Sequence, residues 1–123
     1  MKTKGQIEAE IGEAVVKFER EYMGRGPQET RSYLLGDMIL VRMRGVLTPA
    51  EKGLAESSDY VEGGKLVKEV RKQLLEKARP LLETIVRDIT GRAVVSLHTD
   101  ISTRTGERVI VWTLDGDVEC RKE

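Results

Sequence analysis

Between Gly64 and Gly91 the chain carries an apolar pattern that leaves little choice of fold. Leu66, Val67, Val70, Leu74, Leu75, Ala78, Leu81, Leu82, Ile85, Val86 and Ile89 recur at the three-and-four spacing of a helix with one buried side. The phase runs through Pro80 without slipping. This predicts one helix kinked at Pro80, with the Glu76 carbonyl losing its usual donor, rather than two helices. Gly91, just past Thr90, supplies the left-handed stop. At about 100° per residue the apolar positions span roughly 200° of arc, about twice the stripe a surface helix needs. One side can lie on a sheet. The other must meet a second helix or a second subunit.

The preceding residues supply that sheet. Lys4 to Met23 reads as an amphipathic helix, with Ile7, Ile11, Ala14, Val15, Phe18 and Tyr22 on one face. It is broken by Gly24-Arg25-Gly26-Pro27. Thr30 to Leu35 and Met38 to Arg44 then form two strands around the two-residue turn Gly36-Asp37. A turn of that length fixes the register. Leu34 faces Ile39, Ser32 faces Val41 and Thr30 faces Met43 on the core side; Leu35 faces Met38, Tyr33 faces Leu40 and Arg31 faces Arg42 on the other. Thr48-Pro49-Ala50-Glu51 opens a short helix from Pro49 to Glu56: an N-cap, a proline at the first helical position, and a glutamate placed to complete a capping box. Helix initiation accounts fully for Glu51, and no catalytic role is assigned to it. Ser57 to Gly64 reads as a break, with Ser58 or Asp59 capping the long helix.

After Gly91, Ala93 to Ile101 and Arg108 to Leu114 form a second strand pair. Val95, Leu97, Thr99 and Ile101 are expected to meet Ile110, Trp112 and Leu114 on the core face. Val94, Ser96, His98 and Asp100 then lie beside Val109 and Val111 on a second, half-polar face. The order α-β-β-α-α-β-β makes this an α+β protein: an antiparallel four-stranded sheet packed against the long Pro-kinked helix and the N-terminal helix. It reads as one domain, 1–123, with a core over about 4–114 and a charged tail, 115–123, expected to fray.

Composition narrows the function. With 21 basic and 21 acidic residues the formal net charge is zero, which argues against nucleic acid as a partner. Cys120 is the only cysteine, so no intrachain disulfide can form. Nothing resembles a signal peptide and no apolar run reaches spanning length, so the reading is cytoplasmic, without membrane insertion. The chain has no Asn, and 34% of its residues are charged, the composition expected of a thermophile.

Two residue groups invite a site. Arg31 opposite Arg42 is locally unfavourable unless something acidic lies between them. Either the two side chains splay into solvent or onto a carboxylate from a neighbouring helix, or Arg31 and Arg42 form a small-anion site drawing on Arg44 and Arg25. The Arg25 turn itself lacks the Lys-Ser/Thr of a P-loop and ends a helix where an anion cradle begins one, so it reads as a turn. His98 and Asp100, two apart on a strand, share a face and have the form of a metal-binding or general-base pair. One His and one distant Cys cannot close a zinc site within one protomer. The pair is read as a surface or interface hydrogen-bond pair, and no catalytic residue, metal or cofactor is assigned.

Three stretches carry a family resemblance. They are Gly24-Arg25-Gly26-Pro27 before a hairpin; Arg44-Gly45-Val46-Leu47-Thr48-Pro49-Ala50-Glu51; and Thr90-Gly91-Arg92 leading into Leu97-His98-Thr99-Asp100-Ile101 and Val109 to Leu114. In this order the chain, from about Lys4 to Leu114, resembles the MpsC-like family of small soluble bacterial proteins. That family is named after a subunit of a Na+-translocating membrane-potential-generating system. The resemblance implies an accessory to a membrane cation or inorganic-carbon transport system, and it brings no catalytic residues with it. The reading is therefore a non-enzymatic, cytoplasmic accessory protein, a homodimer with a membrane-transporter subunit as partner. The alternatives are a small-anion or metabolite-binding regulatory domain and, behind it, a hydrolase or metalloenzyme near His98 and Asp100.

Overall fold

The computed structural model describes residues 1–56 and 60–122. Seven elements follow in the expected order: α1 (Lys4–Tyr22), β1 (Glu29–Leu35), β2 (Met38–Arg44), α2 (Pro49–Ala55), α3 (Tyr60–Thr90), β3 (Val94–Ile101) and β4 (Arg108–Leu114). The strands form one antiparallel sheet in the order β1-β2-β4-β3. Both hairpins are thus joined through the β2–β4 pairing, and β1 and β3 are the edges.

The sheet buries one face. Leu34, Ile39, Val41, Met43, Ile110, Trp112 and Leu114 meet Ile7, Ile11, Val15 and Phe18 of α1 and Val67, Leu75, Leu82 and Val86 of α3 in one continuous core. The β1–β2 register is the one the Gly36-Asp37 turn dictates, Leu35 on Met38 through Thr30 on Met43. Gly36 has φ +66°, the left-handed value that such a turn requires. Helix α3 runs unbroken through Pro80. The hydroxyl of Thr84 donates to the Pro80 carbonyl at 3.0 Å. Thr48 and Glu51 form the expected capping box, and Thr3 with Gln6 forms a second at the start of α1.

Three expectations needed correction. A β-bulge between Val94 and Ser96 leaves Val95 exposed and turns Val94 toward the core, the reverse of strict alternation. Residues 60–64, expected in a break, already belong to α3. At Gly64 a Cβ would stand 3.0 Å from the Thr103 hydroxyl, a tight contact that the glycine avoids where the helix approaches the β3–β4 loop. The N-cap expected at Ser58 or Asp59 lies outside the described residues. Finally, the segment after Asp115 is tied down rather than frayed: Val118 N–H donates to the Gly36 carbonyl, Arg121 N–H to the Lys2 carbonyl, and Val118 and Cys120 pack against the core.

Candidate functional site

The core contains charge. Glu19 of α1, Arg71 of α3 and Arg108 of β4 are fully buried although each is ionisable. Each lies in phase with the apolar stripe of its own element: Glu19 follows Val15 by four, Arg71 stands between Val67 and Leu75, and Arg108 precedes Ile110 by two. Arg71 grips Glu51 through Nε and Nη2, both at 2.7 Å; Nη2 also donates to the Val46 carbonyl at 2.7 Å and Nη1 to Glu19 at 3.4 Å. Arg108 Nη1 reaches the other Glu19 oxygen at 3.3 Å. Two guanidiniums and two carboxylates balance. The network ties α1, α2, α3, β4 and the β2–α2 loop at one point.

Burial pushes the Glu19 carboxyl up, against the opposing pull of Arg108 and Arg71. It pushes Arg108 down, and the neighbouring Arg71 charge adds to that effect while Glu19 resists it. Burial opposes the charged forms of Glu51 and Arg71 as well. There the paired bonds between them outweigh it, aided at Glu51 by the Thr48 cap and at Arg71 by the charges of Glu19 and Glu51. The Glu51 carboxyl consequently sits below its usual range and the Arg71 guanidinium above. No group carries an unpaired charge poised for proton transfer here. The arrangement is a fastening.

The other sequence-derived candidates, Arg25 apart, gather elsewhere, on the sheet face that no helix among the described residues covers. Register places their side chains on a grid whose columns run β1, β2, β4, β3. One row reads Leu35, Met38, Thr113, Ser96; the next Tyr33, Leu40, Val111, His98; the third Arg31, Arg42, Val109, Asp100. Two rows are thus apolar at β1 and β2, with polar groups along β3, and the third has cations at one end and an anion at the other. Tyr33 is 40% and Leu35 49% exposed, an unusual condition for an aromatic and a leucine side by side.

The close approach of Arg31 to Arg42 is relieved by carboxylates from β1 and the β3–β4 loop and not from a helix. Arg31 Nε donates to Glu29 at 2.9 Å, Arg42 reaches Glu107 at 2.7 Å, and Arg44 lies 4.0 Å from Glu29. The Arg31 bond holds the Glu29 carboxyl below its usual range. Arg25 does not join them: its Nη1 donates to the Leu47 carbonyl at 3.1 Å. Asp100 accepts from the Ile101 N–H at 2.8 Å and pairs with Lys68 of α3 at 3.5 Å. His98 and Asp100 also edge a groove of about 760 Å³ between α3 and the free β3 edge, with Leu66, Leu75 and Leu97 on its walls. Among the described residues no cluster of three or more His, Cys, Asp or Glu could hold a metal.

A second uncovered surface lies on α3. Leu66 is 53%, Val70 54%, Leu74 37% and Leu81 42% exposed, whereas Leu75 and Val86 of the same helix are 1% and 2% exposed inside the core. The wide apolar arc is therefore divided between the core and an outward stripe spaced by four, four and seven residues. Among the described residues no helix is long and apolar enough to cross a membrane.

The chain is 43% identical over 122 residues to the uncharacterized protein YbcI of Bacillus subtilis (strain 168), covering 99% of this chain and 96% of that one. No solved structure matches it. Residues 3–116 match the family described as Na+-translocating membrane potential-generating system (MpsC), and the chain belongs to that family.

Proposed function

We propose that the protein is a non-catalytic cytoplasmic accessory subunit that acts as a homodimer and docks on a membrane cation-translocating complex through the outward stripe of α3. The stripe carries this reading. Leu66, Val70, Leu74 and Leu81 lie on the exposed side of a 31-residue helix whose opposite side anchors the core. An apolar helix face presented by a rigid scaffold suits a groove on a partner, with anchors at i, i+4 and i+8. Glu62, Lys65, Glu69 and Lys77 flank it with charges of both signs, which suits a protein partner better than a uniformly anionic lipid surface. The family's description supplies the class of complex, Na+-translocating and membrane-potential-generating. This chain would serve such a complex by binding and stabilising its cytoplasmic parts.

The test is affinity capture of the full chain from detergent-solubilised native membranes, scored for subunits of a cation-translocating complex. Enrichment of such subunits supports the reading. Their absence, with the bait intact and folded, removes it.

A further inference from the structure

Sheet proteins with helices on one side leave the other face to water or to a partner, and this face is half apolar. The whole chain exposes 7254 Å². A monomer of this mass is expected to expose about 6,600 Å². The surplus, roughly 600 Å² over the whole molecule, this face and the α3 stripe together, is of the order of the ~800 Å² that each partner loses in a standard interface.

We propose that the uncovered sheet face is the contact between two copies of the chain, packed sheet to sheet about a two-fold axis running along the strands between β2 and β4. The assignment rests on the homodimeric part of the proposed function and says where that dimer is made. Rotation about such an axis lays β1 of one copy over β3 of the other and β2 over β4, and keeps each row of the grid on itself. Arg31 then meets Asp100 of the other copy, Tyr33 meets His98, Leu40 meets Val111 and Met38 meets Thr113. The cation at one end of the third row finds the anion at its other end, twice, by symmetry alone. Layers about 10 Å apart leave room for an arginine and an aspartate to meet between them, and near-parallel strands match aligned sheet packing.

The other in-plane axis, across the strands, fails on the same grid. It lays the row of Arg31 and Arg42 over the row of Leu35 and Met38, so that four guanidiniums, each held only by Glu29 or Glu107 of its own copy, would be pressed on apolar side chains and gain no acidic partner from the other copy. Only the axis along the strands is self-complementary. The result is a four-layer assembly, helices outside and two sheets within, which leaves both α3 stripes facing outward for a different partner.

Light scattering and sedimentation equilibrium on the purified full chain test this, with Arg31→Glu, Asp100→Arg, the double reversal, and Leu40→Lys at the centre of the face. Circular dichroism verifies that each variant is folded. The native chain should be a dimer, Leu40→Lys a monomer, and each single reversal should weaken dimerisation at least tenfold. The double reversal should recover most of the loss, since it keeps the pairing between copies; the part it does not recover reflects the Arg31–Glu29 and Lys68–Asp100 pairs that it breaks within each copy. A monomeric native chain overturns both the homodimer and this interface. A dimer indifferent to Leu40→Lys and both reversals overturns the interface alone. Singles that weaken a dimer the double reversal fails to restore overturn the axis.

Discussion

Removing the Arg71 guanidinium should be among the most damaging single changes available to this chain. In Arg71→Met the apolar stem is kept, but Glu51 loses two bonds of 2.7 Å, the Val46 carbonyl loses its donor, and Glu19 is left with Arg108 alone. The Glu19–Arg108 pair stays neutral, so the uncompensated charge is Glu51, whose side chain is 21% exposed. Breaking a buried pair by deleting one partner costs about 3–5 kcal/mol, and the partial exposure of Glu51 favours the lower half of that range. A chain of this length is stable by about 6–18 kcal/mol, so the loss would be a large fraction of the total. In urea the midpoint should fall by roughly 1–3 M at an ordinary slope. Adding Glu51→Gln to Arg71→Met should recover part of the loss, because glutamine preserves the capping bond and carries no charge. A single variant within about 1 kcal/mol of native would refute the idea that this network fastens the helices to the sheet.

Other outcomes follow from the same structure. The Glu51 carboxyl is held below its unfolded value, so its contribution is present above about pH 4.5 and is lost as pH falls through the lower folded value; Glu51→Gln should flatten that limb of a stability-against-pH curve. Glu19, raised by burial, works in the opposite sense and keeps the acid limb shallow, so Glu19→Gln should steepen it. Gly45 has φ +68° and leads directly into the Val46 carbonyl that Arg71 holds, so Gly45→Ala should cost about 1–2 kcal/mol in chemical denaturation. Pro80 is exposed, so Pro80→Ala should keep the fold and raise the thermal midpoint as the Glu76 carbonyl regains a donor; a fall would mean that the surroundings fit the proline. Sulfate should shift the midpoints of native protein and Arg42→Ala equally, since Glu107 already satisfies Arg42; a larger native shift would establish an anion site.

What the sequence revealed and what it hid have physical reasons. The Gly36-Asp37 turn permits one pairing, so six cross-strand pairs were legible from two residues. Pro80 could be read as internal because the apolar phase does not slip across it. The ion network went unread although its signal was present. Glu19, Arg71 and Arg108 each occupy a buried phase, but a charge in such a stripe is normally taken for a boundary of it and not for a member. Nothing local indicates that these three meet, since they stand 52 and 89 residues apart along the chain from Glu19. The bulge at Val95 is equally silent: Val94 and Val95 are the same residue type, and only the ladder decides which one faces inward. Strand order is a property of the β2–β4 pairing, which no turn connects.

The account makes the outward face of α3 the docking surface for a membrane complex, and one comparison tests it directly. Native chain and a Leu66→Glu/Val70→Glu variant, both folded by circular dichroism, are used in parallel to capture partners from native-host membranes, with quantitative mass spectrometry of what is retained. The prediction is that subunits of a cation-translocating complex are enriched by the native chain and lost with the variant. Equal retention by both would contradict the placement of the site on α3, and enrichment of no such subunit by either would contradict the accessory role itself.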